Sequence, residues 1–296
     1  LEEIVHVLYN VLNSYAFLMI SAMGLAIIFG MMGIINLAHG DFIMMGAYIT
    51  TLTVTSGVPL VIGIILGAVG MGLFGLLMDR ILMSRLYNRP IDSIVVTWGL
   101  SAIIQQATLM IFGPALPVFS IPLGTVAYGK YTYPVYRLVL IAVGIALPIA
   151  LYLIFKKTRF GLESRATMQR PDSASMLGTN RRRMYSLTFM LGSAFAGLAG
   201  GLYACTMAMV PTTGQNFHNQ SMLTVIVGGS DPLIGTVGAA GVLSLVESPL
   251  SLLYGSFIGR MGLLIAAIIV LRVLPGGVSG FVDRARAEYM RKKGSV

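Results

Sequence analysis

Charge is what this chain has least of. Charged side chains make up 10% of its 296 residues, hydrophobic ones 56%, and the mean hydropathy is +0.84. That balance excludes an ordinary soluble domain, which carries about 25% charged residues, and a disordered chain. Cysteine is nearly absent: Cys205 alone forms no internal disulfide, leaves the redox compartment open, and reads as a small core residue in an apolar run. The histidines, His6, His39 and His218, are scattered and lack the neighbouring thiols and carboxylates of a metal site, so no metal and no cofactor is expected. No GxxxxGK[ST] phosphate loop occurs, so any ATP-driven role needs a separate motor subunit. No Ser-His-Asp or Cys-His grouping stands out, which argues against an enzyme. Alternation in segments of about 10 residues is missing, which argues against a transmembrane β-barrel. The chain begins Leu1-Glu2-Glu3 with no basic n-region, and no signal peptide is read.

What is abundant is apolar sequence in runs of about 20 residues, enough to cross a bilayer. Spans are expected at 4–30, 34–55, 59–78, 93–113, 135–155, 185–210 and 258–274, with 221–255 apolar but interrupted. The expected fold class is all-α: one polytopic membrane domain over 1–296, with about 8–10 transmembrane or re-entrant helices, some broken. The net charge of +9 collects in the loops 79–92 and 156–184 and in a tail with Arg284, Arg286, Arg291, Lys292 and Lys293. Basic residues favour the cytoplasmic side, so the charge reads as topology and not as nucleic-acid binding. Parity then requires an odd number of crossings after 185–210. The N-terminus lies outside if 4–30 and 34–55 both cross, and inside if 34–55 is re-entrant.

Two apolar stretches carry polar breaks. One is Gly30-Met31-Met32-Gly33-Ile34-Ile35-Asn36-Leu37-Ala38-His39-Gly40-Asp41, and the other Val227-Gly228-Gly229-Ser230-Asp231-Pro232. An unpartnered backbone group in hydrocarbon costs several kcal/mol, so such breaks survive only inside a bundle or along a watery cavity. Asn36, His39 and Asp41, the first two three residues apart, either cap the broken helix or line a solute path. Thr97, Ser101 and Gln105 form a neutral hydrogen-bonding stripe beside Trp98, suited either to a small uncharged solute or to interhelical bonding. Glu247 is either an intramembrane functional carboxylate or a boundary residue, with Arg260 or Arg272 as its partner. Asp231 is expected to cap the helix after the second break, with Pro232 at its first position. Gly192, Ala196 and Gly200, and also Gly197 and Gly201, are spaced for close helix packing within the chain, or for a dimer contact. No internal repeat is visible by eye. The segment 161–178 suggests a short amphipathic helix, with Leu162, Ala166 and Met168 apolar and Glu163, Arg165 and Arg170 polar.

The segments 24–30, 35–42 and 45–48, then Thr158-Arg159-Phe160-Gly161-Leu162 and 187–200, resemble LivH-type permeases, the membrane subunits of ABC importers for branched-chain amino acids and amides. Within that family, Leu86-Tyr87-Asn88-Arg89-Pro90, Thr97-Trp98-Gly99-Leu100-Ser101, Gly214-Gln215-Asn216 and Gly235-Thr236-Val237-Gly238-Ala239 resemble the urea-importer branch. One departure is Gly228-Gly229-Ser230-Asp231-Pro232, where the family often reads Gly-Gly-x-Gly.

The resemblance implies a permease of the bacterial inner membrane that moves urea or short-chain amides by alternating access. It implies a second homologous permease subunit, two cytoplasmic ATP-binding subunits and a periplasmic solute-binding protein as partners. The cytoplasmic loop at 156–184, with Glu163, Arg165, Met168 and Arg170, becomes the ATPase-coupling element. Asn36, His39, Thr97, Trp98, Ser101 and Gln105 become the expected solute path. A branched-chain amino acid permease and a passive small-solute channel are the alternatives.

Overall fold

The computed structural model describes residues 2–87, 89–119, 123–229, 231, 234–281 and 284. They form eleven α-helices and one hairpin: α1 (Glu2–Met32), α2 (His39–Thr55), α3 (Leu60–Ile81), α4 (Pro90–Phe112), β1 (Thr125–Tyr128), β2 (Tyr131–Pro134), α5 (Val135–Lys157), α6 (Arg159–Gln169), α7 (Pro171–Met176), α8 (Arg181–Tyr203), α9 (Thr213–Gly228), α10 (Ile234–Tyr254) and α11 (Ser256–Val273). Among the described residues seven helices, α1, α3, α4, α5, α8, α10 and α11, are long and apolar enough to cross a membrane. The all-α, polytopic expectation holds. Ser230, Pro232 and Leu233 of the second break, Asn88, and the tail residues Arg286, Arg291, Lys292 and Lys293 lie outside the described residues.

Two segments differ from expectation, and a third, 221–255, is interrupted as expected. The span expected at 185–210 ends at Tyr203, where the Thr206 hydroxyl and amide both bond the Tyr203 carbonyl, at 2.9 and 3.0 Å, and turn the chain. Cys205 is half-buried in that turn and not in a helix core. The region 221–255 is two helices, α9 and α10. The stretch after Pro114 carries the hairpin β1–β2, which covers the start of α1: Tyr131 stacks on His6 with ring centroids 3.9 Å apart, and Tyr133 meets Tyr9 edge-on at 4.5 Å.

The short helices α2 and α9 begin inside the bundle. The His39 ring nitrogen Nε2 lies 3.1 Å from the Ser21 carbonyl. Ser21 is eleven residues before the end of α1 at Met32, about 16 Å at 1.5 Å per residue, so the chain doubles back before α2 starts. The first turn of α9 meets that of α2: a Cβ on Gly40 would collide with the Gly214 carbonyl, and one on Gly214 would lie 2.9 Å from the Gly40 carbonyl.

This reciprocity belongs to a larger pattern. An offset of 174 residues carries His39 to Thr213 and Leu60 to Ile234, the first residues of α2, α9, α3 and α10. The packing pairs in the same way, with α3 on α8 as α10 on α1, α2 on α8 as α9 on α1, and α1 on α8 across the centre. Helices α1 and α8 run antiparallel, since Gly24 faces Gly192 and Ala196 while Met31 meets Thr188. The units α1–α2–α3 and α8–α9–α10 are thus an inverted repeat, the architecture that places discontinuous helices at the repeat interface in many transporters.

Small residues make the seam. Cβ atoms on Gly192, Gly197, Gly200 and Gly201 would run into Gly24, Gly67, Ile43 and Ile64. The small-residue spacing of α8 therefore serves packing within the chain.

Candidate translocation and coupling sites

The first break is closed by its own side chains. Gly33, at φ +64°, ends α1, a conformation that suits glycine. The Asn36 side-chain oxygen accepts from the Ala38 amide at 3.1 Å, and the Leu37 amide donates to the Thr97 hydroxyl oxygen at 3.1 Å. Thr97 in turn donates to the Ser93 carbonyl at 2.8 Å. Asn36, His39 and Thr97 are fully buried, so the geometry here is that of a capped break pinned to α4. Asn36 Nδ2, His39 Nδ1 and Ser21 Oγ are buried there without a hydrogen-bond partner among the described residues.

One turn further along α4 the polar groups connect the two repeats. Gln105 Nε2 donates to Asp41 Oδ1 at 2.9 Å and to Ser101 Oγ at 3.0 Å, while Gln215 Nε2 donates to Gln105 Oε1 at 3.3 Å. Asp41 sits in the first turn of α2, where the helix dipole favours a carboxylate, and Gln215 in the first turn of α9. Gln105 therefore bridges the starts of both short helices. Of the six residues expected on the path, Asn36, His39 and Thr97 gather at the break, and Ser101 and Gln105 at this junction. Trp98 joins neither and is 68% exposed on the outer face of α4. Gln215 was not read as a path residue, and Asp41 was singled out at the break without being joined to Gln105. Asp41 carried a usable signal, an ionisable group in a membrane break.

A second polar centre lies between α1, α5, α9, α10 and α11. A cavity of about 280 Å³ is lined by Asn13, Ser14, Arg137, Asn216, Gln220, Glu247 and Arg260, with Phe17 and Phe217 stacked at 5.2 Å along one wall. Glu247 accepts from the Ser14 hydroxyl at 2.7 Å, and no ion pair joins it to Arg260 or Arg137 among the described residues. Arg260 and not Arg272 faces Glu247 across this space. Opposite charges held apart over one cavity suit a solute that carries both.

The second break is held from three sides. Gly229 ends α9 at φ +88°, Asp231 Oδ1 accepts from the Ile234 amide at 3.1 Å as the expected cap, and the Asp231 amide donates to Ser279 Oγ at 3.2 Å. Pro232 lies outside the described residues.

The segment 156–184 forms two short helices. Thr158 caps α6, its hydroxyl accepting from the Gly161 amide at 3.1 Å. The buried face of α6 is Gly161, Ser164 and Thr167, while the apolar Leu162 and Ala166 are exposed. The reason is closeness: a Cβ on Gly161 would strike the Phe155 backbone, so only small residues fit that face. Met168 is half-buried, while Glu163, Arg165 and Arg170 are exposed. Leu162, Met176 and Leu177 are left 64%, 89% and 86% exposed, an apolar surface beside charged side chains.

Broken helices at an inverted-repeat interface, with seven helices among the described residues long and apolar enough to cross a membrane, define a multi-pass membrane transport subunit. The chain belongs to the family described as branched-chain amino acid transport system / permease component, which matches residues 7–274. It is thus a permease component of an ABC importer, a non-catalytic transmembrane subunit. It is 26% identical over 284 residues to the probable branched-chain amino acid transport permease protein LivH of Methanocaldococcus jannaschii, covering 89% of this chain and 88% of that one. It is 24% identical over 276 residues to the high-affinity branched-chain amino acid permease LivH of Escherichia coli K12, covering 88% and 90%. A shorter match, 33% over 152 residues and covering 48% and 46%, is to the guanosine ABC transporter permease NupQ of Bacillus subtilis. No solved structure matches the chain.

Proposed function

We propose that this chain is the inner-membrane permease of a binding-protein-dependent ABC importer for small neutral amino acids, the branched-chain ones first. The carrying observation is the cavity in which Glu247 faces Arg260 and Arg137 without pairing to either, charge of both signs placed for an ammonium and a carboxylate. The printed functions of the LivH relatives support the same solute class. Import of urea or a short-chain amide is the second reading. It is favoured by the uncharged chain of hydrogen bonds from Ser101 through Gln105 to Gln215, and by the urea-branch resemblance at 86–90 and 97–101.

The two readings separate by uptake of labelled leucine and labelled urea in cells lacking the gene and in cells where it is restored, with urease-dependent trapping controlled. Glu247→Gln and Arg260→Gln are expected to lower leucine uptake about tenfold or more, the worth of one charge-assisted hydrogen bond, at unchanged membrane abundance. Restored urea uptake that ignores both substitutions selects the urea reading.

ATP binding must favour one facing state through differential affinity, and that bias reaches the pore through a docked element. The exposed Leu162, Met176 and Leu177, with Glu163, Arg165 and Arg170 around them, are the surface for the ATP-binding subunits. Scrambling 163–177 is expected to abolish solute-stimulated ATP hydrolysis and uptake together in the reconstituted importer. Solute flux surviving the scramble identifies a passive pore instead.

A further inference from the structure

We propose that the cleft at the cytoplasmic ends of α3, α4 and α8 is a binding site for the headgroup of an anionic phospholipid of the inner leaflet. A cleft of about 580 Å³ is lined by Arg80, Arg85, Arg89, Arg181 and Arg182, together with Ser84 and Tyr87. Five guanidinium groups around one space repel each other, and a site of this kind is stabilised by the planar, bidentate bonding that arginine offers a phosphate.

The acidic groups nearby are already engaged. Asp79 is fully buried and accepts from the hydroxyls of Tyr87, at 2.6 Å, and Ser186. Burial and then the Asp79 carboxylate push the Tyr87 hydroxyl above its ordinary value, so it stays a donor. Asp92 pairs with Arg89 at 3.6 Å with both side chains more than half exposed, a contact of little strength. Arg80, Arg85 and Arg182 make no ion pair among the described residues.

A lipid, and not a free anion, is favoured by the helices that end at the cleft. Leu73, Leu77 and Ile81 repeat every four residues on α3, Ile91 and Val95 do so on α4, and all five are exposed. Both apolar stripes run to the ends of α3 and α4 next to which the arginines lie. A phosphodiester headgroup with acyl chains fits both halves at once, and basic pockets between helices on the cytoplasmic side are where such headgroups bind. The proposal is independent of which solute the importer carries.

The test uses the purified full importer in nanodiscs of phosphatidylcholine, titrated with phosphatidylglycerol or cardiolipin and read by native mass spectrometry of retained lipid. Retention of anionic over zwitterionic lipid is expected. The triple variant R80Q/R85Q/R182Q should weaken it roughly a hundredfold, on the scale of one anionic-surface contact per arginine. The same number of charges removed at Lys156, Lys157 and Arg272 should leave it within about twofold. Equal loss in both variants overturns the proposal in favour of general surface charge. Displacement of the lipid by millimolar inorganic phosphate overturns it in favour of a free-anion site. Should the triple variant fail to assemble, the wild-type comparison of anionic with zwitterionic lipid decides alone, and equal retention of the two overturns the proposal.

Discussion

Gly200→Val is expected to remove most of the folded protein from the membrane. A Cβ at Gly200 would overlap the Ile43 carbonyl oxygen and lie 2.6 Å from the Ala47 amide nitrogen, both backbone atoms of α2. Neither can rotate away, so α8 and α2 must separate along a seam that Gly46, Gly67 and Gly197 also set. Overpacking a tight interface costs about 1–3 kcal/mol even where side chains can yield, and here only backbone is available. In a membrane no hydrophobic drive between helices replaces the lost contact. Gly200→Ala should be intermediate, and Gly200→Val at the severe end. The control is Gly99→Ala, at an exposed position of α4 where an added Cβ meets nothing within 4 Å. That substitution should be neutral or stabilise by up to about 1 kcal/mol from helix propensity. The monodisperse fraction after detergent extraction and its thermal midpoint read all three. Equal behaviour of Gly200→Val and Gly99→Ala would remove the seam from the account of stability.

The membrane class and most of the helices were legible because the bilayer imposes one rule on every span, about 20 apolar residues with the backbone satisfied internally. Helices α3, α4 and α5 begin and end within a few residues of the apolar runs that announce them. What periodicity did not carry was depth. The start of α2 inside the bundle depends on the His39 ring meeting the Ser21 carbonyl and on Leu37 bonding Thr97, contacts between segments that no local pattern encodes. The inverted repeat was hidden for a related reason. Its halves keep the lengths of their second and third helices, 17 against 16 and 22 against 21 residues, and the glycine contact of Gly40 with Gly214, while the side chains around them have diverged.

At the candidate sites, chemistry was legible singly and not in combination. Thr97, Ser101 and Gln105 stood out by their spacing of four, and Glu247 by its charge. Arg260 was legible as a candidate partner of Glu247, but the pairings of Gln105 with Asp41 and Gln215, and of Glu247 with Ser14, were not, because those residues come from helices far away in sequence. The buried face of α6 had no hydropathic signal in the sequence. The contact with the Phe155 backbone admits only small residues, and size outweighed hydropathy there.

Gln105→Leu is expected to cost both stability and transport, and a second substitution separates the two. Removing the amide leaves Asp41, which is 2% exposed, without the Gln105 donor at 2.9 Å and with only the Ser101 hydroxyl as a side-chain partner. A buried acceptor left without its partner costs about 1–3 kcal/mol, more when it is charged. The single variant should therefore lower the thermal midpoint of the purified importer, and uptake should fall at least tenfold. Adding Asp41→Leu removes the stranded group, so the double variant should regain much of the lost stability, as neighbours in one network are non-additive. Uptake should not return with it. Asp41, Gln105 and Gln215 join the first turns of α2 and α9, the point where the two repeats must move past each other if access alternates. Recovery of uptake along with stability in the double variant would make the junction a structural bond between repeats. Recovery of stability alone places the junction in the transport cycle, and the substrate whose uptake is lost then names the solute that passes it.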